Sequence, residues 1–193
     1  MDIKQIKKKF KKIWNFLAHD DSWASFVADL IIIIVLAKFV IYPAIGLVMG
    51  NSFPVVAVVS GSMDHNDLAF DEWWEAKGNY YENIGVSKEE FSNFYLSNGF
   101  KKGDVLIIKK GSNTEYSIGD IIVFHESSRP NPIIHRIIDK SEMHVSTKGD
   151  ANSQQISFEK SIPYSKIEGK AVFIIPKIGW VKVGAVELLN YLL

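Results

Sequence analysis

Two serines flank a glycine in the segment Ser60-Gly61-Ser62-Met63, directly after a short run of β-branched residues. A hydroxyl in such a place can be held at the rim of a rigid sheet, where a substrate reaches it. Serine is a weak nucleophile on its own and needs a neighbouring base. The segment therefore indicates either a nucleophilic serine or an ordinary turn, because Ser and Gly are also common turn residues.

A base and an acid follow further along the chain. His135-Arg136 lies in a strand-like run, and Asp150 lies on a glycine turn in Lys148-Gly149-Asp150. An imidazole with a pKa near neutral can accept the serine proton, and a buried carboxylate can fix its tautomer and stabilise the imidazolium. These residues supply the parts of a Ser-His-Asp triad, but their order does not establish one, because triads are defined by geometry.

Four motifs follow one another along the chain: Ser60-Gly61-Ser62-Met63, Gly119-Asp120-Ile121-Ile122-Val123-Phe124, Ile134-His135-Arg136 and Lys148-Gly149-Asp150-Ala151-Asn152. In these motifs and their order the chain resembles the signal peptidase I family, in its archaeal and endoplasmic-reticulum branch. The resemblance covers most of the chain, from the apolar segment near the N-terminus to Pro176-Lys177-Ile178-Gly179. It implies a membrane-bound serine endopeptidase that removes signal peptides from translocated precursor proteins.

The resemblance also implies a role for each matching residue. Ser62, the serine next to Met63, would attack the scissile carbonyl. His135 would be the general base, in the position that a lysine serves in the bacterial branch, and Asp150 matches the acid. Ser60 matches the serine whose hydroxyl helps to form the oxyanion hole, alongside the backbone N–H of Ser62.

Two features depart from the family pattern. The family usually has a second Asp six residues after the one in the Gly-Asp box, but Ile156 stands there, and Glu159 is a candidate for this second acid. The other departure is a long insertion at residues 64–102, which is rich in aromatic and acidic residues. We expect it to be a small helical subdomain with its own aromatic core; a cap that narrows substrate access is the alternative.

Short β-branched runs separated by Gly-Asp turns predict the sheet that would position these residues. The predicted strands are residues 55–59, 105–109, 121–125, 133–138 and 171–175. We therefore expect a mainly β fold, with a signal-peptidase-like β domain in residues 50–177. As the resemblance implies, substrates would have small residues at the first and third positions before the cut. They would bind in extended form along a strand made of Val55, Val56, Ala57, Val58 and Val59.

An apolar segment precedes the predicted β domain. Residues 26–49 contain only Asp29 and Lys38 as charged residues, and as a helix they are long enough to cross a hydrocarbon core of ~30 Å. We predict a retained transmembrane helix. A buried helix of a soluble protein and a cleaved secretory signal are the alternatives.

The distribution of basic residues predicts the orientation of this helix. No Lys or Arg follows the apolar segment until Lys77, whereas six lysines precede it: Lys4, Lys7, Lys8, Lys9, Lys11 and Lys12. The positive-inside rule then keeps residues 1–25 in the cytoplasm and places the catalytic domain on the other side of a cell membrane or an endoplasmic-reticulum-type membrane. The apolar residues 178–193 predict an interfacial helix, a short second span or a helix packed on the β domain.

The composition excludes several classes of site and partner. The chain has 22 Lys and Arg residues against 22 Asp and Glu residues, so no nucleic-acid partner is expected. It has no cysteine, which excludes disulfides, thiol catalysis and Cys-ligated zinc, and no H-E-x-x-H spacing connects His65, His125 and His135. We expect no cofactor or metal. The expected partners are signal peptides of secretory precursors, the lipid bilayer and a nearby protein translocation channel.

Two other functions stay open. A self-cleaving Ser-Lys peptidase would use Lys140 or Lys148 as its base. A non-catalytic, membrane-tethered β module that binds translocated chains would need no base at all, and the missing acid at position 156 favours it slightly. Cleavage assays distinguish both from a signal peptidase.

Overall fold

A computed structural model describes residues 2–129, 131–180 and 184 of the 193-residue chain. The chain divides into two compact units, Met1–Leu47 and Val48–Leu193. The predicted C-terminal membrane segment, residues 178–193, lies outside the described residues apart from its first three residues and Gly184.

The first unit is helical. Helix α1 (Ile3–His19) begins after Asp2, whose carboxylate caps it, and helix α2 (Trp23–Leu36) begins after Ser22, whose hydroxyl accepts the N–H of Ser25 at 3.2 Å. These side chains satisfy N–H groups that have no partner in the first turn of a helix.

Helix α2 continues through a π-helical turn (Ala37–Ile41) into helix α3 (Tyr42–Met49). The wider turn precedes Pro43, which has no N–H and whose ring would crowd the carbonyl four residues earlier in a regular α-helix. The continuous helix Trp23–Met49 has 27 residues and is apolar enough to cross a membrane. It has the length and composition of the predicted transmembrane helix.

The second unit contains a curled antiparallel sheet. In the described part of the chain the sheet has seven strands in the order β1-β2-β7-β3-β4-β5-β6. The strands are β1 (Val55–Ala57), β2 (Val105–Lys109), β3 (Ile121–Phe124), β4 (Ile133–Lys140), β5 (His144–Lys148), β6 (Ile162–Pro163) and β7 (Ile167–Ile175). This sheet confirms the predicted mainly β fold.

Both faces of the sheet are apolar where it carries the candidate site. Ile121 and Val123 of β3 pack with Leu106 and Ile108 on one face, whereas Ile122 and Phe124 pack with Ile137 and Val145 on the other. Successive side chains of a strand point to opposite faces, so β3 is buried at every position. Strand β4, which pairs with β3, is therefore supported by a core on each side.

The insertion folds into two helices, α4 (Phe70–Asn83) and α5 (Lys88–Ser92), and α5 is capped by Ser87, whose hydroxyl accepts the N–H of Glu90 at 3.1 Å. Its apolar side chains form a third core with Ile138 of β4: Phe70, Trp73, Trp74, Tyr80, Tyr81, Val86, Phe91 and Phe94. The insertion thus has the aromatic core that its composition predicts.

Candidate active site

The serine loop, residues 58–63, is anchored at both ends. At its start the N–H of Val58 donates to the carbonyl of Asp104 at 2.8 Å. At its end the side chain of Met63 is 1% exposed in the core between the sheet and the insertion. Ser60 and Ser62 stand between these anchors, with their Oγ atoms 3.2 Å apart. Because the loop is fixed at both ends, its backbone holds both hydroxyls in place.

A second loop, residues 149–152 after β5, contacts the serine loop. The N–H of Ala151 donates to the carbonyl of Ser62 at 2.9 Å. A β-carbon added at Gly149 would lie 2.7 Å from the carbonyl oxygen of Ser62 and 2.8 Å from Nε2 of His135. One methyl group at this position would collide with both atoms, so Nε2 of His135 lies close to the serine loop. The two groups can come this close only because residue 149 has no side chain.

His135 lies in β4, where it pairs with Ile122 of β3, and it is 4% exposed. Its Nδ1 makes a hydrogen bond with Oε1 of Glu159. With the Nδ1 proton donated to the carboxylate, Nε2 carries the lone pair and can accept a proton. Glu159 thus binds the imidazole at Nδ1 and leaves the lone pair of Nε2 to accept a proton.

Glu159 is fully buried, on the 3₁₀ turn Ser157–Lys160. Besides His135, its carboxylate binds the N–H of Ile156, which donates to Oε2 at 2.8 Å, and the hydroxyl of Thr147, which donates to Oε1 at 3.3 Å. Three donors from separate segments therefore fix the orientation of this carboxylate before any substrate binds.

A cavity of about 480 Å³ opens beside these groups. It is lined by Ser60, Ser62, His135 and Asn152, by the polar Arg129 and Asn131, and by the apolar Val59, Pro132, Ile133, Ile134, Ile156 and Phe158. The lining comes from residues 59–62, 129–135 and 152–158, which lie outside the insertion. The lining is therefore mixed, with more apolar than polar side chains.

Asp150 lies in a second cluster, where it pairs with Arg136. Both residues are fully buried, and the guanidinium donates to the two carboxylate oxygens, from Nε to Oδ1 at 3.0 Å and from Nη2 to Oδ2 at 2.7 Å. Oδ1 also accepts the hydroxyl of Tyr81 at 2.8 Å, and Oδ2 lies 3.3 Å from Nε2 of His65. Burial raises the pKa of Asp150, but the charge of Arg136 and the hydrogen bond of His65 outweigh it and hold that pKa well below its usual value.

The same cluster fastens the insertion to the sheet. The remaining guanidinium donors of Arg136 reach the backbone carbonyls of Tyr95 at 2.9 Å, Leu96 at 2.9 Å and Gly119 at 3.0 Å. The ring of His65 stacks on Trp73 of α4, with centroids 3.8 Å apart. The insertion therefore packs behind the strand that carries His135.

The two lysines that a Ser-Lys peptidase would use as its base, Lys140 and Lys148, each donate a hydrogen bond to a backbone carbonyl. Lys148 is 1% exposed; its Nζ donates to the carbonyl of Gly149 at 3.1 Å and lies 4.8 and 4.9 Å from the ring centres of Tyr80 and Tyr81. Burial lowers the pKa of Lys148 to about 8. The ammonium of Lys140 donates to the carbonyl of Tyr116.

The structure thus brings Ser60, Ser62 and His135 to one cavity, with Glu159 rather than Asp150 at Nδ1 of the imidazole. Of the predicted substrate-binding strand, Val55–Val59, only Val55–Ala57 form strand β1, which stands at one edge of the described sheet and pairs with β2; Val58 and Val59 belong to the serine loop. Among the described residues, no group of three or more His, Asp or Glu side chains is arranged to hold a metal ion.

The sequence did not predict the burial of His65, which is 3% exposed. Its ring stacks on Trp73, and its Nε2 lies 3.3 Å from Oδ2 of Asp150, so the buried ring has a polar partner that the local sequence does not reveal.

No family model matches the chain. It is similar to the signal peptidase complex catalytic subunit SEC11 of Scheffersomyces stipitis, with 24% identity over 157 residues, 76% of this chain and 74% of the relative. Similarity extends to the SEC11 subunit of Colletotrichum graminicola, at 25% identity over 78% and 74% of the two chains, and to that of Schizosaccharomyces pombe, at 25% over 84% of each. In its four ordered motifs, and over most of its length, the chain is similar to these catalytic subunits of the signal peptidase complex, which are signal peptidases of the endoplasmic-reticulum type.

Proposed function

We propose that this signal peptidase removes signal peptides from translocated precursors with Ser62 as nucleophile, His135 as general base and Glu159 as the carboxylate that orients the base. One observation carries the proposal: the imidazole of His135 is bound by Glu159 at Nδ1 and lines the same cavity as Ser60 and Ser62. A serine, a base and an orienting acid in this arrangement are the parts of an acyl-transfer site.

The reaction proceeds in two steps. As Oγ of Ser62 attacks the scissile carbonyl carbon, its proton passes to Nε2 of His135, and Glu159 stabilises the imidazolium. The imidazolium gives this proton to the leaving amine, which departs as the new N-terminus and leaves the signal peptide as an ester on Ser62. Water then attacks the ester carbonyl as His135 takes a proton from it, the ester C–O bond breaks to release the signal peptide with a free carboxyl group, and the imidazolium returns its proton to Oγ of Ser62.

Glu159 supplies the carboxylate that position 156 lacks. The family's second Asp would stand at Ile156, but in this chain Ile156 contributes its backbone N–H to Glu159. Asp150, whose oxygens bind Arg136, Tyr81 and His65, is proposed to join the insertion to strand β4 and not to touch the imidazole.

Ser60 is proposed to donate its hydroxyl to the oxyanion, together with the backbone N–H of Ser62. Its Oγ lies 3.2 Å from Oγ of Ser62, so it stands beside the carbon that Ser62 attacks. One such donor is typically worth ~2.7–4 kcal/mol of transition-state stabilisation. Substitution of Ser60 by Ala should therefore lower kcat by roughly 10²–10³-fold.

The substrate is proposed to bind as an extended strand against the open edge of β1, with its small residues entering the cavity beside Val59.

The relatives are named as subunits of a signal peptidase complex, and we propose that this chain meets its precursors beside a translocation channel. We also propose that residues 1–25 are cytoplasmic and that the catalytic domain lies across the membrane. An anchor on the same chain raises the local concentration of the enzyme for precursors held in that membrane.

The test is cleavage of a labelled secretory precursor by the purified full-length chain in liposomes. Ser62→Ala and His135→Ala should each abolish cleavage, whereas His125→Ala, at a side chain that is 56% exposed, should leave it unchanged. Full activity in either site variant would contradict the assignment. An inactive binding module would fail to cut even as the wild type, and a Ser-Lys peptidase would tolerate His135→Ala but not Lys148→Met.

A further inference from the structure

Helix α1 has one apolar face and one basic face. Its apolar residues recur every three or four positions and place one stripe along the helix: Ile3, Ile6, Phe10, Ile13, Trp14 and Leu17. No residue of α1 is buried, and Ile3, Phe10 and Trp14 are 69%, 65% and 56% exposed. A stripe of large apolar side chains without cover in a water-facing helix is unfavourable, so it needs a surface to bury it.

The charge on the other face indicates what that surface is. Lysines occupy the remainder of the helix circumference, at positions 4, 7, 8, 9, 11 and 12, and α1 contains neither Asp nor Glu. Six like charges in a short helix repel one another unless an anionic surface compensates them. A flat apolar layer bordered by anionic groups matches both faces at once, and a lipid leaflet with anionic headgroups has this chemistry.

A tight turn connects α1 to the helix that can span the membrane. Ser25, 1% exposed, donates its hydroxyl to the carbonyl of Phe16 at 2.6 Å, and the carboxylate of Asp20 accepts the N–H of Ser22 at 2.8 Å. These bonds end α1 and start a separate helix at Trp23, so α1 is not an extension of the span. A helix fixed in this way cannot diffuse away from the lipid surface at which the span begins.

We infer that α1 is an interfacial helix that binds a leaflet rich in anionic lipid, with its apolar stripe at the acyl-chain boundary and its lysines at the headgroups. Trp14 lies on the stripe with an indole suited to that boundary. Lys7 and Lys9 flank the stripe, and their aliphatic stems can lie over the apolar layer while the ammonium groups reach the headgroups. This site is separate from the active site and does not depend on its assignment.

The test uses the absence of cysteine in the chain. A nitroxide on Ile13→Cys reports on the apolar stripe, and one on Asn15→Cys reports on the basic face; each is placed in the full-length chain. The chains are reconstituted in vesicles of phosphatidylcholine alone or mixed with phosphatidylserine. Collision rates with oxygen, which enters lipid, and with a water-soluble nickel chelate give the environment of each label.

In the mixed vesicles the label at position 13 should collide with oxygen and be shielded from nickel, and the label at position 15 should do the reverse. Replacing Lys4, Lys8, Lys11 and Lys12 by Gln should lower the equilibrium constant between lipid-bound and free α1 by about fivefold per lysine, towards the value in phosphatidylcholine alone. Equal exposure of both labels to nickel in the mixed vesicles would overturn the inference. Shielding of position 13 from both reagents would also overturn it, because the stripe would then be covered by protein.

Discussion

Glu159→Gln is the substitution that most sharply tests how the base is organised. Oε2 of Glu159 accepts the N–H of Ile156 at 2.8 Å, so the side-chain oxygen of the new Gln will occupy this place. Its NH₂ group then faces Nδ1 of His135, which the native carboxylate binds as an acceptor. Because an NH₂ group only donates, Nδ1 must become the acceptor and the imidazole proton must move to Nε2.

The magnitude follows from this tautomer change. An imidazole that is protonated at Nε2 cannot accept the proton of Ser62, and the comparable Asp-to-Asn change in a serine protease triad lowers kcat by ~10⁴-fold. This loss corresponds to about 5.4 kcal/mol of transition-state stabilisation. KM should change little, because Glu159 does not line the cavity in which the substrate is proposed to bind.

The assay is the rate of cleavage of a labelled precursor under single-turnover conditions, with thermal unfolding measured on each variant. Glu142→Gln, at an exposed position, is the matched control and should retain full activity. The reasoning would be refuted if Glu159→Gln kept kcat within tenfold of the wild type while Asp150→Asn lost activity without losing stability. Asp150 would then be the acid, and the contact of Glu159 with His135 would be incidental.

Three further predictions concern the groups around this pair. Tyr81→Phe removes one donor from buried Asp150 and should lower the free energy of unfolding by about 1–3 kcal/mol, with kcat unchanged within a few-fold, as urea unfolding and cleavage rates will show. Gly149→Ala places a β-carbon 2.7 Å from the carbonyl of Ser62, so kcat should fall by roughly 10²-fold. The folded-state pKa of Lys148 is lowered to about 8, so this residue binds more protons in the unfolded chain between about pH 8 and 10.5, and its contribution to stability should rise with pH across this window. The free energy of unfolding of the wild type relative to Lys148→Met should therefore rise across the window; equal pH slopes in urea-unfolding curves of the two proteins would contradict it.

Much of the sheet could be predicted because its strands are β-branched and bounded by glycine turns, as Val105–Lys109 and Ile121–Phe124 are. Strand β5, His144–Lys148, was not predicted because its buried residues include Ser146, Thr147 and Lys148. Their polar groups are satisfied inside the fold, and hydrophobic periodicity does not detect such burial.

The motifs located Ser60, Ser62 and His135, but they could not choose between two acids. That choice depends on the strand geometry at β4: His135 and Arg136 are consecutive and point to opposite faces of the sheet. An acid that is paired with Arg136 therefore cannot also bind His135. Only the three-dimensional course of the chain after β5 brings Glu159 back to the face that carries the imidazole.

The most direct test of the central claim is the pKa of a thiol placed at position 62. Since the chain has no cysteine, Ser62→Cys creates a single thiol, and its alkylation by iodoacetamide can be followed against pH. If the imidazole of His135 reaches this group, the thiol should titrate below its ordinary pKa of ~8.5 and react at pH 7 about tenfold faster than in the Ser62→Cys, His135→Ala double variant. The same pH profile in both proteins would contradict the account.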